Sequence, residues 1–491
     1  MSTERDGGGG AHGSSHRRNS SRGGATRQNP RDRNAPQAAS PRLVAYQVLA
    51  EVRDADAYAN LVLPHRLRDS GLSAADRALT TELVYGTLRM QGYYDQIIQI
   101  AAGRSVDNID PVALVILRLG AHQLLGMRIP SHAAVFETVS LQKIVGRESA
   151  VGFVNGVLRA LGRRSPEEWL AEVRESAGSE DAVLAAVYSH PEWIVRAFRA
   201  SLRVEGRAGE LEQLLAADNE APRVTLARLP GGPHSEELPD RAYEGDVSPL
   251  SAVLDGGDPG EITARSNGWI RVQDQGSQLA ALIVSRVRPI KEGEVWLDLC
   301  AGPGGKSAVL GAEARLGGAR VVANEVVPSR ADLVWRSVAA VRDTVEVVSG
   351  DGRDITEAYP EGFDRILLDA PCTGLGALRR RPEARWRKQP GDVPELTRLQ
   401  EELMEAAIAA LRPGGILAYV TCSPHRAETR MVVSTALRKH SDLREISARE
   451  VASQIAPHPL QTAGDDLSLQ LWPHRNETDA MFVALLVRDG V

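Results

Sequence analysis

Cysteine is scarce in this chain: Cys300, Cys372 and Cys422 are the only three in 491 residues. So sparse and odd a set builds no disulfide framework. Its spacing fits no zinc pattern and no Cys-x-x-Cys occurs, so no metal is expected. Long apolar runs are missing as well. No stretch approaches the ~18 residues of a membrane span. The amino terminus offers Gly, Ser, Arg and Asn where a secretory leader needs an apolar core. A cytoplasmic protein without a membrane partner is the expectation. Positive charge is not in excess either: 58 Lys and Arg stand against 64 Asp and Glu, for a net charge of −6. That balance excludes indiscriminate coating of nucleic acid and leaves room for a local basic patch. What is present, 43% hydrophobic and 25% charged residues, is the composition of a soluble globular protein. The chain is too long for one core, so two or three domains are expected.

Residues 1–40 carry GGGG, SSHRR and SSRGG with almost no large apolar side chain. Such a segment cannot bury enough surface to offset its ordering entropy, and disorder is predicted there. Order is predicted to begin at Ser40-Pro41, a helix N-cap followed by proline at the first helical position. Ala45, Val48, Leu49 and Val52 then recur on one helical face. Val154, Val157, Leu158 and Leu161 do the same, as do Leu114, Leu117, Ala121, Leu124 and Leu125. Residues 41–165 therefore read as an all-α bundle with these stripes as its core. Residues 166–265 read as a connector, helical at first and α+β after RVTLARL, where Gly, Pro and Asp punctuate heavily.

From 266 to 491 strands and helices alternate. The helix QGSQLAALIVSRV precedes strand VWLDL, a glycine loop and the helix KSAVLGAEA. Strands RVVANE, VEVVSGD, DRILLDA and ILAYVT follow, with helices SRADLVWRSVAAV and LTRLQEELMEAAIAAL among them. This pattern predicts a Rossmann-like, mostly parallel, doubly wound α/β sheet covered on both faces. Ligands of such sheets sit at the carboxyl ends of the strands, near a topological switch point. All three cysteines follow predicted strand ends, so one cleft can bring them together.

The motifs fill that cleft. LDLCAGPGGKS, residues 297–307, is a strand, a glycine-rich turn and a helix start. Gly302, Gly304 and Gly305 permit a tight turn and close approach of backbone to a ligand. A nucleoside triphosphate loop would end in the same GGKS, but its first glycine would fall at position 300, where Cys300 stands. An adenosine-bearing cofactor accounts for the pattern better. Glu325 ends the next strand, where a carboxylate can accept ribose hydroxyls, and Asp351 ends the one after, where a carboxylate can receive an adenine amino group. LLDAPCTGLG, residues 367–376, places Asp369 and Cys372 after a further strand, and a strand-end Asp followed by Pro is costly unless it bonds something. RRRPEARWRK, residues 379–388, is densely cationic around Trp386. Beside a cleft such a run holds phosphates and stacks a base, so substrate contact is expected of it. ILAYVTCSP, residues 416–424, ends an apolar strand in Cys422. That thiol is either a buried small hydrophobe or a nucleophile delivered to the sheet edge.

LDLCAGPGGKS, LLDAPCTGLG and YVTCSP, in this order and spacing, strongly resemble the Sun/RsmB family of RNA cytosine-C5 methyltransferases. The helical region, with ALVILRLGAHQLLGM and AVFETVSLQKIVG, resembles the NusB-type RNA-binding domain of the bacterial rRNA members. VQDQGSQLAAL and ETDAMFVALLVR also look like family segments. The departures are mild: Gly302 stands where Ala is usual, Thr373 where Ser is usual, and Glu325 where Asp is common. The resemblance implies S-adenosyl-L-methionine as cofactor, held by Cys300, Ala301, Gly302, Pro303, Gly304, Gly305, Lys306, Glu325, Asp351 and Asp369. Cys300 itself would contribute backbone more than sulfur. Which cysteine attacks is not derivable from spacing. The resemblance makes Cys422 the nucleophile, Cys372 the base that serves release, and Asp369 the partner of the cytosine N3 and amino edge. The expected partner is RNA, small-subunit rRNA first, and a monomer is expected. Two alternatives stay open, a tRNA substrate for the same chemistry and a non-catalytic RNA-binding assembly factor. Binding alone would need neither thiol.

Overall fold

The computed structural model describes residues 40–233 and 237–490. The tail expected to be disordered lies, but for Ser40, outside those residues. Ser40 does cap the first helix, Pro41–Asp54, accepting a hydrogen bond from the Leu43 amide. Ala45, Val48, Leu49 and Val52 are all buried on it. Helices then follow one another as far as Leu211–Ala217. On Val151–Leu161 the four stripe residues are again the buried ones. Pro111–Ala121 differs: Val115, Ile116 and Leu119 are buried beside Leu117 and Ala121, while Leu114, Leu124 and Leu125 are only partly so. This helix is packed on most sides, so a single stripe understates what it buries.

Among the described residues twelve strands form two sheets. The smaller joins β1 (Thr225–Arg228), β2 (Ala242–Glu244), β3 (Ser251–Leu254) and β4 (Ile270–Val272) in the order β2-β3-β1-β4. The larger contains β5 (Val295–Asp298), β6 (Arg320–Asn324), β7 (Val345–Val348), β8 (Phe363–Asp369), β9 (Leu411–Thr421), β10 (Leu443–Ile446), β11 (Leu469–Gln470) and β12 (Phe482–Arg488). Its order is β10-β12-β9-β8-β5-β6-β7, with β11 paired to β12. The pairs from β9 through β7 are parallel, and β12 runs antiparallel between β9 and β10.

Alternation along each strand feeds two cores, as a period of two requires. Trp296, Leu367 and Ala418 face one set of buried residues, shared with the helices Gln275–Arg286 and Gly305–Gly317. Leu297, Leu368 and Tyr419 face another, shared with Asp392–Ala409 and Arg430–Lys439. The chain leaves β5 toward β6 and β7 on one side and returns to β8 and β9 on the other. The switch point is therefore the crevice at the carboxyl ends of β5 and β8.

Much of the cationic run 379–388 is turned inward, with Arg381 exposed. Arg385 is fully buried and donates to the carbonyls of Arg89, Ser189 and Asp218 and to Asn219 Oδ1. Burial pushes its guanidinium down to about 10, still charged at neutral pH. Arg387 reaches the carbonyls of Val52 and Ala57, and Glu383 accepts from the Ala59 amide. Arg379 and Arg380 pair with Asp274 and Asp479. Buried carbonyls at helix ends and turns need donors, and arginines supply them. Arg385 and Arg387 thus clamp the helical region to the large sheet, while Arg381 is exposed and acts electrostatically on Cys422. Ile194, Phe198 and Leu202 pack with Leu375, Leu378 and Trp472 in a core that spans the same junction.

Candidate active site

The glycine loop follows β5. Gly304 sits in the left-handed region at φ +96°, and a Cβ there would meet Ser337 Cβ at 2.6 Å and Val334 Cα at 2.8 Å. Only glycine fits. The loop is closed by Gly304 N–H to the Ala301 carbonyl at 2.7 Å, Ala301 N–H to the Asn324 carbonyl at 2.8 Å, and Ser337 Oγ to the Pro303 carbonyl at 2.7 Å. The helix Gly305–Gly317 starts at its end and presents unpaired amides and a positive dipole end to the crevice.

Two of the carboxylates expected here, Asp369 and Glu325, act on a third that was not, Asp298. Lys306 Nζ binds Asp369 Oδ2 at 2.7 Å. Burial pulls the ammonium down, but the Asp369 charge outweighs it and holds Lys306 above its ordinary value. Glu325 is buried, accepting from the Gly302 amide at 3.0 Å and the Val327 amide at 3.0 Å. Sequence reasoning missed Asp298, at the end of β5. Its carboxyl is fully buried; Oδ2 accepts from Ser307 Oγ at 2.7 Å and Oδ1 has no partner. Burial, with Asp369 and Glu325 adding to it, pushes Asp298 up to about 7. Gln273 Oε1 is a second buried acceptor left without a partner, on a side chain 3.5 Å from a Cβ built at Gly305. A crevice rich in carboxylates and orphaned acceptors fits a ligand carrying ammonium and sulfonium charges, while the helix start and Lys306 fit its carboxylate. The residues present therefore fit S-adenosylmethionine.

Asp351 stands apart from this group. It follows β7 and is bound by Arg353, whose Nη2 lies 2.6 Å from Oδ2; that guanidinium holds the carboxyl below its usual range. Cys300 follows β5, and its thiol is pushed up by burial and by Asp298, Asp369 and Glu325. It is not a thiolate.

The other two cysteines meet. Cys372 comes off β8 and Cys422 off β9, neighbouring parallel strands with Asp369 opposite Val420, and their sulfurs are 3.5 Å apart. The hydrogen bond from Cys372 lowers Cys422; burial and Asp369 oppose this, while Lys306 and Arg381 assist it. The same bond raises Cys372, together with burial, the Cys422 charge and Glu428. Of the two, Cys422 is the sulfur favoured to lose its proton and Cys372 the one favoured to keep it. The arrangement provides a nucleophilic sulfur, a proton-bearing sulfur beside it, and a carboxylate, Asp369, with one oxygen committed to Lys306.

Among the described residues no group of three or more His, Cys, Asp or Glu is placed to hold a metal ion, and no helix is long and apolar enough to cross a membrane. Residues 287–487 match the family described as 16S rRNA methyltransferase RsmB/F, and residues 39–163 match the NusB family. A protein of Mycobacterium tuberculosis named as a methyltransferase is 47% identical over 91% of this chain and 96% of its own. The ribosomal RNA small subunit methyltransferase B of Yersinia enterocolitica is 30% identical over 91% of this chain and 98% of its own. The solved structure of PH0851 superposes with a TM-score of 0.71 at 21% identity, covering 91% of this chain and 97% of that one, and shares the fold. With cofactor loop, paired cysteines and full-length relatives in agreement, the chain belongs to the RsmB/F family of S-adenosylmethionine-dependent rRNA methyltransferases, with a NusB-family domain at its amino-terminal side.

Proposed function

We propose that this protein methylates C5 of a cytosine in small-subunit ribosomal RNA through a covalent bond between Cys422 and C6. The observation that carries the reading is the pair of sulfurs 3.5 Å apart beside Asp369. Cytosine C5 is too weak a nucleophile to take a methyl group directly. The Cys422 thiolate adds to C6, and the electron pair of the C5–C6 double bond becomes available at C5. Bound S-adenosylmethionine supplies the electrophilic methyl group. Asp369 holds the N3 and amino edge of the base and stabilises the adduct. Once Cys422 is bonded to C6, its negative charge no longer holds the proton on Cys372, and that proton passes to solvent. Cys372, then a thiolate, takes the C5 proton, after which the C6–sulfur bond breaks, the double bond returns and Cys422 leaves as thiolate. Cys300, Ala301, Gly302, Pro303, Gly304, Gly305 and Lys306 form the cofactor cradle, with Asp298 and Glu325 beneath it and Asp351 at its rim. The helical region holds RNA, and an rRNA substrate sets the work in the cytoplasm.

The test separates the thiols. Cys372→Ala should methylate once and stall, leaving RNA joined to Cys422 as a denaturant-resistant band. Cys422→Ala and the double variant should give no such band. An adduct mapped to Cys372 by mass spectrometry would reverse the roles. Bisulfite sequencing of rRNA and tRNA from a deletion strain identifies the substrate, and loss of 5-methylcytosine from tRNA alone would overturn the rRNA assignment.

A further inference from the structure

Glu428 sits in the same connection as Cys422, between β9 and the helix Arg430–Lys439, and the residues that follow both cysteines are bonded to it. Its side chain is fully buried in the short turn Arg426–Glu428. Oε1 accepts from the Thr373 amide at 2.7 Å and from Gln400 Nε2 at 3.4 Å. Oε2 accepts from Thr373 Oγ1 at 2.5 Å and from Ser423 Oγ at 2.6 Å. Thr373 directly follows Cys372, and Ser423 directly follows Cys422. The same network extends outward, with Gln400 Nε2 donating to the Pro371 carbonyl at 2.8 Å and Tyr419 Oη donating to the Glu428 carbonyl at 2.7 Å. A buried carboxylate is costly unless its oxygens are satisfied. Here donors from both loops satisfy it, so neither loop can move without leaving charge unpaired.

We propose that Glu428 is a positioning residue for both cysteines, a buried carboxylate that ties the Cys372 and Cys422 loops into one unit and sets the spacing of their sulfurs. The role rests on the reading of the two thiols given above. It does two things. Fixing Thr373 and Ser423 holds Cys372 where its S–H reaches Cys422, which keeps the nucleophile ionised. Its negative charge also acts on Cys372 more than on Cys422, so the shared proton stays on the sulfur that does not attack.

The experiment reads the thiols without RNA, so it fails independently of the cytosine assignment. Full-length wild type, Glu428→Ala, Glu428→Gln and Ser423→Ala are alkylated with iodoacetamide at a series of pH values, and Cys422 labelling is followed by peptide mapping. In wild type the midpoint for Cys422 should lie below that of a free thiol. In Glu428→Ala it should rise by about a pH unit or more as the Cys372 hydrogen bond is lost. Glu428→Gln can accept at one atom and donate to the two hydroxyls at the other, so its midpoint should stay nearer wild type. Methyl transfer should fall by ~100-fold in Glu428→Ala, the scale of a misplaced reacting group, with cofactor affinity unchanged and partial rescue in Glu428→Gln. If Glu428→Ala does not fold, Ser423→Ala takes its place and should raise the midpoint in the same direction. A Cys422 profile that coincides with wild type in the folded variant overturns the proposal.

Discussion

Asp298 ends β5 with its carboxyl wholly enclosed, one oxygen on Ser307 and the other without a partner, and titrates near neutrality. Two outcomes follow. A cofactor bearing positive charge favours the ionised form, so S-adenosylmethionine should bind more tightly as pH rises toward 7 and should release a proton when it binds below that pH. Calorimetry in buffers of different ionisation enthalpy measures both, and an affinity flat from pH 5.5 to 8.5 would remove Asp298 from the cofactor site. For stability the sign is opposite. The folded pKa is raised, from 3.8 to about 7, so the stability this group contributes is full below the lower value and is lost as pH climbs to the upper one. Asp298→Asn should therefore melt progressively higher than wild type between those two pH values and keep a constant lead above them. In the sequence Asp298 is one letter of LDLC. Nothing there separates an acid at a strand end facing solvent from one facing a closed crevice. Glu428 was hidden for a related reason, since HRAETR reads as mixed surface charge. The cysteines and the glycines were legible because their residue types are rare or conformationally special at such positions.

The glycine loop and the end of β6 meet through Gly302 and Glu325. A Cβ built on Gly302 would lie 2.2 Å from Glu325 Oε2, so a methyl group there would force the carboxylate to shift and give up the Gly302 amide. Gly302→Ala alone should weaken cofactor binding, and Glu325→Asp should restore much of it, with a coupling of ~1–2 kcal/mol in the double-mutant cycle. Additive effects measured by calorimetry would show that the carboxylate moves aside freely. At this scale the strands from β5 to β9 were legible because short apolar runs bounded by glycine and acid announce buried parallel strands. The antiparallel β12 was not, because FVALLVR carries no mark of the direction in which it pairs. The run 379–388 was legible only in part. A dense row of cations looks like a surface for phosphates, and only the tertiary fold reveals the carbonyls waiting for Arg385 and Arg387.

Across the whole molecule the helical region and the sheet are joined by Arg385 and by the core around Phe198, Leu378 and Trp472. Arg385→Met would leave three carbonyls and an amide oxygen without their donor. It should cost about 3 kcal/mol, the scale of lost hydrogen bonds to a charged group, and calorimetry should show one unfolding transition separating into two. A single transition at the wild-type temperature would mean that the apolar core alone carries the junction. The clamp also begins only a few residues beyond Cys372, with Leu375–Ala377 between. The helical surface and the paired sulfurs therefore stand at a set displacement, like the jaws of a caliper. Under the proposed function, RNA held by the helices would offer to the thiols a nucleotide lying at that reach along its folded path. Substrates would then be sorted by measured distance within a folded RNA more than by the letters beside the target.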